Sequence, residues 1–142
     1  MRKILIPCDG SDNALRAVRY AASVATRRSD VQLELLYVQD AVPLKLHASL
    51  SLQEIERMQT DESNRVLQPA RQILDDEGVP YQLRWCAGPG SSANQIARHV
   101  QETQCDAIIM GTRGLSPVAN VMVGSVAAKV IHLVAVPVTL IK

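Results

Sequence analysis

The sequence predicts a doubly wound α/β sandwich of three layers, built on a parallel sheet of five strands. Short apolar runs alternate with amphipathic segments of helical spacing along all 142 residues. The apolar runs contain few polar residues, which is typical of strands that are buried on both faces. Right-handed crossovers then place helices on both sides of the sheet, and we expect the strand order 3-2-1-4-5.

The first half of the chain supplies two strands and two helices. Residues 3–7 (KILIP) form a short apolar run that ends in the turn PCDGS, and a helix is expected from Ser11 because alanines and other apolar residues recur at three- and four-residue spacing. A second strand is predicted over 31–38 (VQLELLYV). A long helix follows over 51–77, in which Pro69 is expected to cause a kink or a split.

The second half supplies three strands and two shorter helices. The segment EGVPYQLRWC contains the third strand, and Ser91 or Ser92 is a candidate cap for the helix that follows. The segment CDAIIM predicts the fourth strand, residues 125–133 a helix, and VPVTLI at 136–141 the fifth strand. The predicted order is therefore βαβαβαβαβ.

Length, charge and cysteine content limit the class of protein. A chain of 142 residues fits one domain spanning 1–142, and a net charge of +1 gives no basic surface for nucleic acid or membrane lipid. The three cysteines indicate reduced thiols rather than a disulfide framework or a zinc site. The apolar runs are too short for a secretion signal or a membrane span, so we expect a cytoplasmic protein.

The stretch MGTRGLSPVANVMVGS, residues 110–125, places three of the seven glycines around one loop. It follows the fourth strand, and in this sheet the first and fourth strands lie where the strand order reverses, which is where ligands bind. Such a loop before a helix can hold phosphate with backbone N–H groups, and Arg113 is available for outer phosphate oxygens; an ordinary tight turn is the alternative. A Walker loop is excluded because Lys129 lies five residues past Gly124.

These glycines follow a known spacing. Gly111, Gly114 and the pair Gly124-Ser125 resemble the signature G-x2-G-x9-G-[ST] of ATP-binding universal stress proteins. The resemblance covers essentially the whole chain, because ILIPCDGS, LLYV and VPVTLI are similar to strands of that family in the same order. It implies a single universal stress protein domain with a fold like that of the adenine nucleotide alpha hydrolases.

The resemblance also implies a binding site for ATP. It places Asp9, Val38 and Met110 at the nucleoside, and Gly111, Gly114, Gly124, Ser125 and Val126 at the ribose and phosphates. Pro7, at the end of the first strand, and Arg113, in the glycine loop, complete the candidate site, although Pro7 stands where many members of the family carry a small or β-branched residue. Two alternatives remain open. Asp9 could instead cap the first helix, and Val38 and Met110 could simply be buried in the hydrophobic core. Mg²⁺, where bound, would be held mainly by phosphate oxygens and water.

The implied function is that of a dimeric, nucleotide-responsive regulator in the stress response. The alternative is an ATP hydrolase or nucleotidyl-transfer enzyme that uses the same crevice. The loop offers no second carboxylate to orient a nucleophile, so we expect hydrolysis to be slow at most.

The last strand is expected to join two copies of the chain. Pro137 cannot donate to a ladder, which indicates an edge strand, and the apolar run from Val136 to Ile141 would expose open hydrogen bonds. Antiparallel self-pairing would close both edges in a homodimer, as the family resemblance also implies. A monomer whose edge is covered by the loop over 39–50 is the alternative.

Overall fold

A computed structural model describes residues 2–114 and 123–142 of the chain. Its sheet has the strand order β3-β2-β1-β4-β5, and all neighbouring strands are parallel, as the sequence predicted. The strands are β1 Arg2–Pro7, β2 Val31–Gln39, β3 Tyr81–Ala87, β4 Ala107–Gly111 and β5 Val138–Ile141. The helices are α1 Asp12–Arg27, α2 Leu44–Ser49, α3 Leu52–Asp76, α4 Ser92–Thr103 and α5 Ser125–Leu133.

Helices cover both faces of the sheet. Helices α1 and α3 pack on one face, whereas α4 and α5 pack on the other. Strand β1 contributes to both layers, because Ile4 and Ile6 face α1 and Leu5 faces α4 and α5. All three side chains are buried, which explains why this strand reads as a continuous apolar run. The predicted doubly wound fold is confirmed.

Serine caps fix the starts of three helices. Ser11, Ser51 and Ser91 each accept a hydrogen bond from the backbone amide three residues further along, at the starts of α1, α3 and α4. Each cap satisfies one of the amides that a helix N-terminus otherwise leaves without a partner. Helix α5 differs, because Gly124 stands at its cap position and supplies no side chain.

One local expectation was wrong, and at Pro69 one of the two expected outcomes is excluded. Residues 44–49 form the short helix α2, where the sequence analysis expected only a loop. Helix α3 runs unbroken over 25 residues and is not split at Pro69. Pro69 is exposed, while its neighbours Leu67, Ala70 and Leu74 are buried in the core. Packing of that apolar face therefore offsets the backbone hydrogen bond that proline cannot make.

An ion cluster lies under helix α4. Glu34, in the middle of β2, is fully buried, and the Lys3 Nζ atom lies 2.8 Å from its Oε2 atom. Its other oxygen accepts a hydrogen bond from the ring of His99 on α4. Burial by itself would raise the pKa of Glu34, but the hydrogen bonds from Lys3 and His99 hold that pKa below its usual value.

Within the described ranges 2–114 and 123–142, no helix combines the length and the apolar character needed to cross a membrane.

Candidate functional site

A cavity opens at the carboxyl ends of the central strands, where the strand order reverses between β1 and β4. Pro7 ends β1 and Asp9 follows it, Val38 lies near the end of β2, and Met110 and Gly111 end β4. All five line the cavity. The parallel topology therefore brings together residues that are about 100 positions apart in sequence, as expected for such sheets.

The glycine loop supplies the other wall. Arg113, Gly114, Gly124 and Val126 also line the cavity. Ser125 is the exception among the predicted site residues, because it is the exposed first residue of α5 and does not line the cavity. The middle of the predicted loop, residues 115–122, lies outside the described residues.

Asp9 has one oxygen in a turn and the other at the cavity. Its Oδ1 atom accepts a hydrogen bond of 2.9 Å from the Ser11 amide. Ser11 itself is the N-cap of α1, so Asp9 is not the cap that the sequence alternative allowed. A Cβ atom built on Gly114 would lie 2.6 Å from Asp9 Oδ2, which shows how closely the glycine loop approaches this carboxylate.

Close approach, not backbone conformation, explains glycine at 111 and 124. A Cβ atom on Gly111 would lie 2.8 Å from the backbone carbon of Asn13 in α1, so strand and helix meet almost without a gap. A Cβ atom on Gly124 would lie 3.2 Å from the Thr112 carbonyl oxygen, which also accepts a hydrogen bond from the Gly124 amide. Glycine at these two positions therefore allows the backbone segments in the wall of the cavity to pack closely.

The start of α5 makes one end of the cavity suitable for an anion. Gly124 at the cap position has no side chain, so the first amides of α5 carry the partial positive charge of a helix N-terminus without an acceptor from that position. Arg113, which is exposed at the cavity, adds a full positive charge. Amides and a guanidinium group together form the kind of site that binds phosphate.

A second part of the cavity lining is apolar, packs around the first turn of α5 and includes part of α4. Leu36, Val38, Met110 and Ala127 line it together with Ile96 of α4. Flat apolar ligands fit such walls. Ser92, the first residue of α4, also lines the cavity.

The contribution of α4 to the site was not predicted from the sequence. In the sequence, the segment GPGSSANQI indicated only the start of a helix with Ser91 or Ser92 as its cap. The signal lay in the topology: α4 connects β3 to β4, so it crosses over β2 and β1 and reaches the point where the strand order reverses. Residues of its first turns could have been expected at the cavity for that reason.

Cys8 lies in the wall of the cavity but is a poor nucleophile. Its side chain is buried, and burial raises the pKa of the thiol to about 11. The thiol therefore stays protonated at neutral pH, when only the thiolate would react. Cys8, Cys86 and Cys105 are all free.

Comparison with known proteins assigns the family. The family model described as the universal stress protein family matches residues 1–142. The chain belongs to the universal stress protein family. The resemblance stated from the glycine spacing and the strand order is thereby confirmed.

Individual members show how far the similarity extends. Universal stress protein MJ0531 of Methanocaldococcus jannaschii is 31% identical over 142 residues, which cover 99% of this chain and 82% of that protein. The solved universal stress protein from Archaeoglobus fulgidus has 26% identity and a TM-score of 0.76, with 100% and 99% of the two chains covered. A structure of the Archaeoglobus fulgidus protein in complex with dAMP has 24% identity and a TM-score of 0.73, with 100% and 98% covered.

Proposed function

We propose that this universal stress protein binds an adenine nucleotide, ATP, in the cavity between β1 and β4. One observation carries the proposal: the same cavity has an apolar lining at Val38, Ile96 and Met110 and anion-attracting groups at Arg113 and the start of α5. A nucleotide has this division itself, with a flat base at one end and phosphates at the other. The carboxylate of Asp9 lines the cavity as well and suits the ribose hydroxyls.

The proposed pose follows from this division. The base lies against Val38 and Met110, with Pro7 beside it, and the phosphates lie along Gly114 and Gly124 toward the first amides of α5, which include those of Ser125 and Val126. Mg²⁺ would be carried by phosphate oxygens and water, as hard cations prefer oxygen ligands. A protein of the same fold, from Archaeoglobus fulgidus, was solved in complex with dAMP, which supports an adenine nucleotide as the class of ligand.

A regulatory role fits the chemistry of the cavity better than rapid turnover. Asp9 is the carboxylate that lines the cavity within residues 2–114 and 123–142, and its Oδ1 atom is already bound by the Ser11 amide. Phosphoryl transfer needs a positioned base and metal ligands near the γ-phosphate, and Asp9 alone does not supply both. We therefore infer a nucleotide-responsive regulator of the stress response that acts in the cytoplasm.

Arg113→Ala is expected to weaken ATP binding about 10-fold while leaving adenosine binding unchanged, because a charge-assisted contact to phosphate is lost. Isothermal titration calorimetry with both ligands measures the two affinities. Arg57→Ala is the matched control, since Arg57 is exposed on α3 and does not line the cavity. An equal loss for ATP and adenosine would contradict the proposed direction of the nucleotide.

Substitution of Gly124 is a less informative test of phosphate binding. A side chain there would press on the Thr112 backbone, so a loss of affinity could come from a changed fold.

We also propose that two copies of the chain pair through β5. Strand β5 is an edge of the sheet, as expected, although it begins at Val138 and not at Val136. The carbonyl oxygens of Pro137 and Ile141 accept hydrogen bonds from the amides of Ile108 in β4 and of Thr112 just after it. The backbone groups of Val138 and Leu140 therefore face the open edge. An antiparallel partner would satisfy them about a two-fold axis.

Thr139→Asp is expected to weaken the homodimer at least about 10-fold, because antiparallel pairing would bring two like charges close together across the axis. Thr139 is exposed, whereas Val138 and Leu140 pack on the core, so this change spares the monomer. Sedimentation velocity over a range of concentrations measures the association. Thr139→Val is the control and should remain dimeric. A monomeric wild-type protein would contradict the proposal.

A further inference from the structure

We propose that the hydroxyl group of Ser92 binds the 6-amino group of the adenine base, so that this serine reads the polar edge of the ligand. The inference rests on the proposed function and assigns a specificity contact within that site. In the proposed contact the amino N–H donates to Ser92 Oγ. The contact requires that Ser92 lie beside the apolar lining and that its hydroxyl group have no other hydrogen-bond partner.

Three other polar side chains of the cavity lining already have a hydrogen-bond partner or pack in the α1 and α3 layer. Asp9 follows β1, where its Oδ1 atom is bound by the Ser11 amide. Thr112 accepts a hydrogen bond of 3.2 Å from the side chain of Asn13 in α1. Tyr37 packs against the opposite face of the sheet, with the α1 and α3 layer. Ser92 is the polar side chain that α4 adds on the side of Ile96.

The hydroxyl of Ser92 has no competing partner in the described part of the chain. Among residues 2–114 and 123–142, no hydrogen bond uses Ser92 Oγ, whereas its neighbour Ser91 caps α4 by accepting from the Asn94 amide. A hydroxyl group both donates and accepts, so it can pair with an amino group without a change of protonation. The two adjacent serines thus have different roles: one holds the helix and the other faces the cavity.

Hydrogen bonds and core packing fix the turn that carries Ser92. The side-chain amide of Gln95, which is buried, donates to the carbonyl oxygens of Gly88 and Gly90 at 3.2 and 3.4 Å. Ile96, one turn after Ser92, is 3% exposed and anchors α4 in the core. A polar group held on a rigid turn loses little conformational entropy when it binds, which favours a specific contact.

The apolar side chains beside the proposed base offer it no hydrogen bonds. The walls made by Leu36, Val38 and Met110 are apolar side chains and replace water around the ring without replacing its hydrogen bonds. A buried amino group without a partner is costly, and a single hydroxyl acceptor removes that cost. The position of Ser92 therefore favours a base with an amino group over the same ring without it.

The experiment compares ATP with purine riboside 5′-triphosphate, which lacks only the 6-amino group. Calorimetry on the wild-type protein should give an affinity for ATP about 3- to 10-fold higher, the usual effect of one hydrogen bond. Ser92→Ala should bind the two ligands alike, and Ser92→Thr, which keeps the hydroxyl, should retain the preference. Ser91→Ala is the matched control: it should lower stability through the lost cap but leave the preference intact.

Two results would overturn the inference in distinguishable ways. If wild-type protein binds ATP and Ser92→Ala keeps the full wild-type preference for ATP, the contact is not made by Ser92 and the proposed function stands. If the wild-type protein binds neither triphosphate, the proposed function fails and this inference fails with it.

Discussion

Glu34→Gln is expected to lower the free energy of unfolding by about 3 kcal/mol, the lower end of the cost of breaking a buried ion pair. The Glu34 side chain is 1% exposed and has both Lys3 and His99 as partners. Glutamine keeps the shape of the side chain but not its charge. The ammonium group of Lys3 would then be left in a largely buried position without a counter-charge, because its side chain is only 25% exposed.

Urea denaturation of the two proteins measures this difference. Glu62→Gln is the matched control, because Glu62 forms an ion pair with Arg65 on the surface of α3, where solvent screens the interaction. The control should unfold at nearly the wild-type urea concentration. A Glu34 variant that is as stable as this control would show that the cluster does not stabilise the fold.

The same cluster makes the free energy of unfolding depend on pH, with lower stability at low pH. The pKa of Glu34 is lower in the folded chain than in the unfolded chain, so the unfolded state binds the proton more readily. The stabilising contribution is therefore complete above the unfolded pKa, which is about 4.3, and is lost as the pH falls through the folded pKa. The stability difference between wild type and Glu34→Gln should accordingly narrow below about pH 4.

The sequence predicted the strand that contains Glu34 but not the cluster around it. The run VQLELLYV shows an apolar strand directly, because strand burial leaves a local pattern. His99 is 65 residues away from Glu34, and no local pattern links the two side chains. Their contact depends on how α4 crosses the sheet, and a single sequence does not give that geometry.

The candidate site shows the same limit. The residues at the ends of β1, β2 and β4 could be predicted, because strand order alone brings those ends together. Ser92 and Ile96 were missed, because their position depends on the path of a crossover helix. The helix α2 was missed as well, since its six residues give too short a pattern to separate a helix from a loop.

Glycine at 111 shows that one residue can satisfy two requirements. The spacing of the glycines suggested that the backbone must approach a phosphate, and Gly111 does line the cavity. The structure adds a second reason, since its Cα atom packs directly against the backbone of α1 near Asn13 and Ala14. Sequence spacing cannot separate these reasons, because both require only that the side chain be absent.

Gly111→Ala is therefore expected to lower the free energy of unfolding by about 3 kcal/mol even without nucleotide, the upper range for overpacking a core. The new Cβ atom would lie 2.8 and 2.9 Å from backbone atoms of Asn13 and Ala14, which cannot rotate away as a side chain could. Gly88→Ala is the control, because its Cβ atom would meet only the Gln95 side chain, at 3.9 Å. Thermal and urea unfolding of the ligand-free proteins compare the two. If Gly111→Ala unfolds like the control and loses only nucleotide binding, glycine is required at 111 for the ligand. The close contact with α1 would then not require glycine at this position.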